Sequence, residues 1–218
     1  MLSQTEENYL KTLYLLANEE DVVNLSEISK RLEISSPTAN SMIKNLHEKG
    51  LVKYEKYKPI LLTQKGKLSA AYIIRKHRLT EMYLVEKMEF GWEDVHEIAE
   101  QMEHIIAPRF FDKMDELLGF PEVDPHGSPI PNKDGKVIQQ HHQQLSQCAA
   151  GETVILSSLK QSENDFLNFL NSRGLALGTL ITIVSIEPFD QSMVVNFNDQ
   201  KSVSLSQTVC EQLLVTKK

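Results

Sequence analysis

The chain is poor in cysteine, in tryptophan and in long apolar runs. Its two cysteines, Cys148 and Cys210, form no Cys-x-x-Cys pair, so neither a disulfide scaffold nor a thiolate metal site is predicted. Both are expected as reduced thiols of a cytoplasmic protein. No stretch approaches the roughly 18 apolar residues of a membrane span. The first seven residues, Met1 to Glu7, are too polar and acidic for a secretory signal. Positive charge is also scarce, with 23 Lys+Arg against 30 Asp+Glu and a net charge of −7. That balance excludes a chain that coats nucleic acid by charge alone. The scarcity is uneven, because residues 1–80 carry 13 basic against 9 acidic side chains and the remainder 10 against 21. A mildly basic front and an acidic, histidine-containing remainder suit a DNA-reading segment followed by a cation-binding one.

The strongest pattern is in the segment 95–104. His96, Glu100, Glu103 and His104 fall at spacings of 0, 4, 7 and 8. On a helix they share a sector of roughly 100°. Ile98, Met102, Ile105 and Ile106 take other sides. His77 and Glu81 repeat the four-residue spacing on an earlier helix. A glutamate-rich helix face is ordinarily solvated. Two His/Glu pairs, each backed by apolar residues, favour instead a transition-metal site built between helices. Enzyme signatures fit poorly: the second histidine of H-E-x-x-H is missing, and Glu93 with His96 gives a single Glu-x-x-His. A carboxylate-bridged metalloenzyme on a helical scaffold is therefore the alternative reading.

The front segment reads as a winged helix-turn-helix. Tyr9, Leu10, Leu13, Tyr14 and Leu16 predict a helix over 5–18, and Ser26 to Leu32 a short second one capped by Ser26. Ser36-Pro37 opens a third helix, which stops at Gly50. Residues 51–62 then read as two strands around a basic turn. In that arrangement Ser36, Pro37, Thr38, Asn40 and Ser41 face the major groove, and Lys44, Lys53, Lys56 and Lys58 are the candidate phosphate contacts. So few contacts predict a two-fold dimer on palindromic DNA.

Downstream, residues 64–88 form one helical pattern, the ligand helix starts near Glu93, and a further helix runs from Pro108 to Leu118. Phe110, Phe111, Met114, Leu117 and Leu118 offer apolar surface for a subunit contact. Residues 127–147 are poor in apolar side chains, and His141-His142 between glutamines reads as linker. From Thr153 short β patterns surround a helix at Glu163–Ser172, predicting a five-stranded SH3-like barrel. The expected fold is thus mainly α with a small β part: a DNA-binding domain over 1–63, a helical metal-binding and dimerisation domain over 64–126, a linker over 127–150 and an SH3-like domain over 151–218.

Several segments resemble, in order, the iron- and manganese-dependent repressors of the diphtheria toxin repressor and manganese transport regulator type. They are Glu7-Asn8-Tyr9-Leu10-Lys11-Thr12-Leu13-Tyr14, Ser36-Pro37-Thr38, Leu62-Thr63-x-x-Gly66, Arg75-Lys76-His77-Arg78-Leu79-x-Glu81, Val95-His96-x-x-Ala99-Glu100-x-x-Glu103-His104 and Asp124-Pro125-His126-Gly127-x-Pro129-Ile130-Pro131. The match covers about residues 1–135, and the rest is similar only to the small SH3-like domain of longer members. The resemblance implies a homodimeric repressor that binds operator DNA when loaded with metal and controls metal-uptake genes. It implies a primary site of Glu100, Glu103, His104 and, from helix one, Asn8, where relatives place Met or Asp. It implies an ancillary site of His77, Glu81 and His96, with Glu163 or Asp165 nearest the positions from which the small domain adds oxygen ligands. Iron-responsive relatives carry Cys where this chain has Glu100; a set of oxygen and imidazole donors favours Mn(II), with Fe(II) second.

Overall fold

Tyr9, Leu10, Leu13 and Leu16 recur at helical spacing and are all buried, forming helix α1 (Gln4–Glu19). In the computed structural model, residues 2–19, 23–56, 58–138 and 140–217 are described, without the side chains of 18 and 19. Helices α2 (Leu25–Arg31) and α3 (Ser36–Glu48) bury Ile28, Ala39, Ile43 and Leu46 against α1 in one core. Their starts differ slightly from the expected ones. The cap of α2 is Asn24 rather than Ser26, because the Glu27 carboxylate accepts the Asn24 backbone N–H. The cap of α3 is Ser35, whose hydroxyl accepts the Thr38 N–H, so Ser36 and Pro37 both lie in the first turn.

A two-stranded wing follows, with β1 (Val52–Lys53) antiparallel to β2 (Leu61–Leu62) and Val52 opposite Leu62. Tyr57, expected in the basic turn between them, lies outside the described residues. Helix α4 (Gln64–Met88) begins under Thr63, whose hydroxyl accepts the Gly66 N–H at 3.0 Å. A Cβ on Gly66 would stand 2.0 Å from the Leu51 carbonyl oxygen, so α4 reaches the wing only with glycine there.

Helix α5 (His96–Met102) is shorter than expected, starting three residues after Glu93 and ending before Glu103. The Glu103 N–H still bonds the Ala99 carbonyl, but the next bond runs from Ile105 to Met102. That i→i+3 closure tightens the last turn and ends the helix. Helix α6 (Pro108–Leu117) buries Phe111 and Met114 within its own chain, contrary to their expected part in a subunit contact. The exposed apolar side chains here are Ile105, Ile106, Phe110 and Leu117.

The chain divides into two compact units. One comprises Met1–Thr80, Ala99–Gly119 and Ile130–Val137, the other Glu81–Ile98, Phe120–Pro129 and Ile138–Lys218. The second contains a six-stranded antiparallel sheet in the order β3-β8-β4-β5-β6-β7. Its strands are β3 (Gln143–Gln144), β4 (Thr153–Leu159), β5 (Leu180–Ile186), β6 (Met193–Phe197), β7 (Gln200–Leu205) and β8 (Leu213–Lys217), with α7 (Asn164–Arg173) and α8 (Gln207–Gln212) between them. Five strands match the expected ones; β3 and α8 were not legible. The later part of the expected linker is folded, since Gln143 pairs with Val215 and Leu145 is fully buried. An edge strand bonds through its backbone, so two glutamines can form one without apolar side chains. Gln139, also in that stretch, lies outside the described residues.

Cys148 and Cys210 are buried and unpaired, and burial pushes the Cys210 thiol up to about 12 and raises that of Cys148. Such thiols are inert structural groups. Among the described residues no helix is long and apolar enough to cross a membrane.

Candidate metal centre

The first unit gathers polar side chains from α1, α4 and the end of α5. Glu7, Asn8 and Lys11 share one side of α1 by their spacing. Lys11 Nζ lies 2.9 Å from Glu100 Oε2, 2.7 Å from Glu103 Oε2 and 3.2 Å from His77 Nδ1. His77 Nδ1 itself stands 2.6 Å from Glu103 Oε2, and donates to that carboxylate. Glu7 Oε2 is 2.6 Å from His104 Nδ1, so that nitrogen donates to the carboxylate, and in the neutral ring Nε2 holds the lone pair. His104 Nε2 lies 3.9 Å from Glu103 Oε1, too far for a hydrogen bond.

Glu103 is fully buried. Burial pushes its carboxyl up, yet the His77 hydrogen bond and the Lys11 charge outweigh this and hold it below the usual carboxylate range. Among the described residues, two buried side-chain oxygens have no hydrogen-bond partner: Asn8 Oδ1 and Glu103 Oε1. Unpartnered buried acceptors are uncommon and costly.

The second unit holds another group of donors. Glu81, Asp124 and His126 are each buried and bring one ligand atom apiece within 4.8 Å of one another. Asp124 Oδ1 accepts the backbone N–H groups of His126 and Ser128, both at 2.9 Å, which fixes the carboxylate in a tight loop. His126 Nε2 lies 2.9 Å from the Trp92 carbonyl oxygen. A carbonyl only accepts, so Nε2 carries a proton and Nδ1 is the nitrogen that could meet an ion. His96, half exposed, places Nδ1 3.3 Å from Glu81 Oε1.

Glu100, Glu103, His104 and Asn8 belong to the first unit as expected, and His77, expected with Glu81 and His96, also turns Nδ1 to Glu103. Glu163 caps α7 and Asp165 is in its first turn; both are exposed and stand in none of the converging donor groups found among the described residues. The sequence reading missed Glu7, Lys11, Asp124 and His126. Asp124 and His126 stand in the segment Asp124-Pro125-His126-Gly127, where Asp-x-His was the available signal.

On the DNA-reading side, Ser36, Pro37, Thr38, Ser41, Lys44, Lys53, Lys56 and Lys58 are exposed. Asn40 is half-buried, and its Oδ1 accepts the Tyr54 hydroxyl at 2.6 Å, tying the wing to α3. Thr38 shares a 2.8 Å hydrogen bond with Ser35. Lys58 pairs with Glu55 on the wing, which weakens its candidacy as a phosphate contact. Glu6, buried on α1, accepts from Asn45 at 2.6 Å and pairs with Lys49. Lys49 beside it, with Ser3 and Asn45, outweighs burial and lowers its carboxyl to about 2.

Residues 1–60 match the iron dependent repressor N-terminal DNA binding domain, and 63–132 the iron dependent repressor metal binding and dimerisation domain. Residues 143–217 match the FeoA domain, which is SH3-like. A manganese-dependent transcriptional repressor solved in complex with manganese superposes with a TM-score of 0.87 at 30% identity, over 98% of this chain and 100% of that one. The chain belongs to the iron-dependent repressor family. The diphtheria toxin repressor of Corynebacterium efficiens is 28% identical over 226 residues, covering 99% of this chain and 96% of that protein. The iron-dependent repressor IdeR of Mycobacterium leprae is 28% identical over 194 residues, covering 84% of each. As a member of this family the chain is a metal-dependent transcriptional repressor with a DNA-binding and a dimerisation domain, not an enzyme.

Within a metal-dependent repressor the unpartnered Asn8 Oδ1 and Glu103 Oε1 take on chemical meaning. Hard oxygen donors beside an imidazole lone pair suit Mn(II) or Fe(II). A divalent ion supplies two positive charges and bonds several donors at once, which satisfies oxygens that no N–H reaches. The residues present fit the ion.

Proposed function

We propose that the chain represses metal-uptake genes in the cytoplasm, binding palindromic operator DNA as a homodimer when Mn(II), or secondarily Fe(II), occupies sites among its helices. The domain division that accompanies this reading is 1–63 for DNA, 64–126 for metal and dimer contact, and the SH3-like domain at the carboxyl end. The first site uses Asn8, Glu103 and His104, with Glu100 and His77 in the same cluster and Glu7 orienting the His104 ring. The second uses Glu81, Asp124 and His126, with His96 beside Glu81. The observation that carries the reading is the pair of buried acceptors without partners, Asn8 on α1 and Glu103 at the end of α5.

Glu7 connects α1 to the turn after α5 through His104, and Glu6 on the same helix holds α3 through Asn45 and Lys49. The seating of α1 therefore sets the seating of α3, and in a dimer the spacing of two recognition helices. Without an ion Glu7, Glu100 and Glu103 leave net negative charge on this side of α1, and the helix is less firmly held. A coupling of about 1–3 kcal/mol between ion and DNA is ordinary for such a switch. Fluorescence anisotropy with palindromic operator DNA tests it: tight binding with Mn(II), and loss of that binding in chelator. A metalloenzyme would give turnover without specific DNA binding.

A further inference from the structure

The two oxygens of Glu103 face different surroundings. Oε2 receives Lys11 at 2.7 Å and His77 Nδ1 at 2.6 Å, whereas Oε1 has no hydrogen-bond partner and lies 3.9 Å from His104 Nε2. His77, Glu100 and Glu103 by themselves form a group whose donor atoms lie within 4.8 Å of one another. Taken as side chains alone, that triangle would be the natural seat for an ion. Its space is already filled: Lys11 Nζ stands within 3.2 Å of an atom from each of the three residues. Metal–oxygen bonds of about 2.0–2.6 Å to the same Glu100 and Glu103 oxygens would need the volume the ammonium occupies. Two cations cannot share it.

We infer that Lys11 is a resident cation of the first site, filling the His77–Glu100–Glu103 triangle and confining the exchangeable ion to the Oε1 side of Glu103, with His104 and Asn8. The inference rests on the proposal that this cluster takes a divalent ion. Lys11 is anchored to α1 three residues from Asn8, and only 12% of its side chain is exposed, so the charge stays with the fold whatever the metal level. Two consequences follow. Glu103, wholly buried, has a counter-charge even without metal, which removes much of the cost of an isolated buried carboxylate. The cluster also counts one ion rather than two, because its other cation position belongs to the chain.

Calorimetric titration of the full-length dimer with Mn(II), together with thermal unfolding in EDTA, tests this. Lys11→Met is expected to raise the Mn(II) count by one per chain and to lower the melting temperature in EDTA by about 5 °C or more. Lys11→Arg, which keeps the charge, is expected to keep the wild-type count and melting temperature. Should Lys11→Met fail to fold, Lys11→Gln carries the same expectation. A count that stays the same or falls when the charge is removed overturns the inference, whatever the melting temperature. Glu103→Ala separates this from the underlying reading: it should lose one ion, and if it loses none the site itself is wrong, independently of Lys11.

Discussion

Glu6 and Glu7 are consecutive on α1 yet serve different helices. Glu6 holds Asn45 and Lys49 of α3, and Glu7 holds the His104 ring after α5. Neighbours on a helix are turned about 100° from each other, so one short segment can grip two partners at once. This adjacency joins the proposed metal cluster to α3 without any long pathway.

Glu6 should show a distinct pH signature. Its carboxyl is lowered to about 2 in the folded chain, below its ordinary value of 4.5. Its contribution is therefore complete above pH 4.5, falls as pH drops below that, and is gone near pH 2. Lys49 is 41% exposed, so screening reduces the effect, and Glu6→Gln is expected to cost about 2 kcal/mol near neutral pH. Urea unfolding of both proteins from pH 7 to 3 checks this; the gap between them should narrow as the pH falls.

Glu103→Ala removes the carboxylate that meets Lys11, His77 and the proposed ion. It is expected to abolish Mn(II)-stimulated operator binding while sedimentation still shows a dimer. The exposed dimer-face candidates, Ile105, Ile106, Phe110 and Leu117, are untouched by this change.

The second site should titrate separately. His126→Ala leaves Glu81 and Asp124 without their imidazole, and is expected to lose one Mn(II) per chain in calorimetry while the ion at Glu103 remains. Loss of both ions together would mean that the two groups are not independent.

Phosphate contacts can be read from salt dependence. Lys44→Ala and Lys53→Ala, both exposed lysines, should each weaken operator binding and reduce the slope of log affinity against log salt by about one. Lys58→Ala should change the slope less, because Glu55 already pairs with that lysine.

Much of this was legible in the sequence because it was periodic. The apolar residues of α1 and α4 repeat at helical spacing, Pro37 marks the start of α3, and the alternation in β5 and β6 reads directly as strand. The Glu100, Glu103 and His104 cluster shared that advantage. Glu7 and Lys11 are not legible as members of the cluster because their partners are distant in sequence and their own helix reads as an ordinary amphipathic one. Asp124 and His126 lie in a loop, where an Asp side chain bonding two backbone N–H groups makes the geometry and no period announces it. Strand β3 was missed because an edge strand of glutamines contributes backbone bonds rather than apolar side chains.

The central claim is that ion binding at the Glu103 cluster seats α1 and thereby fixes the spacing of the two recognition helices. Spin labels at Ser41 in the dimer report that spacing by pulsed electron resonance, with Zn(II)-free Mn(II) replaced by a diamagnetic divalent ion where relaxation interferes. The account expects a broad distance distribution in chelator and a narrow one with ion, and a broad one under both conditions for Glu103→Ala. A wild-type distribution that is identical with and without ion would contradict it.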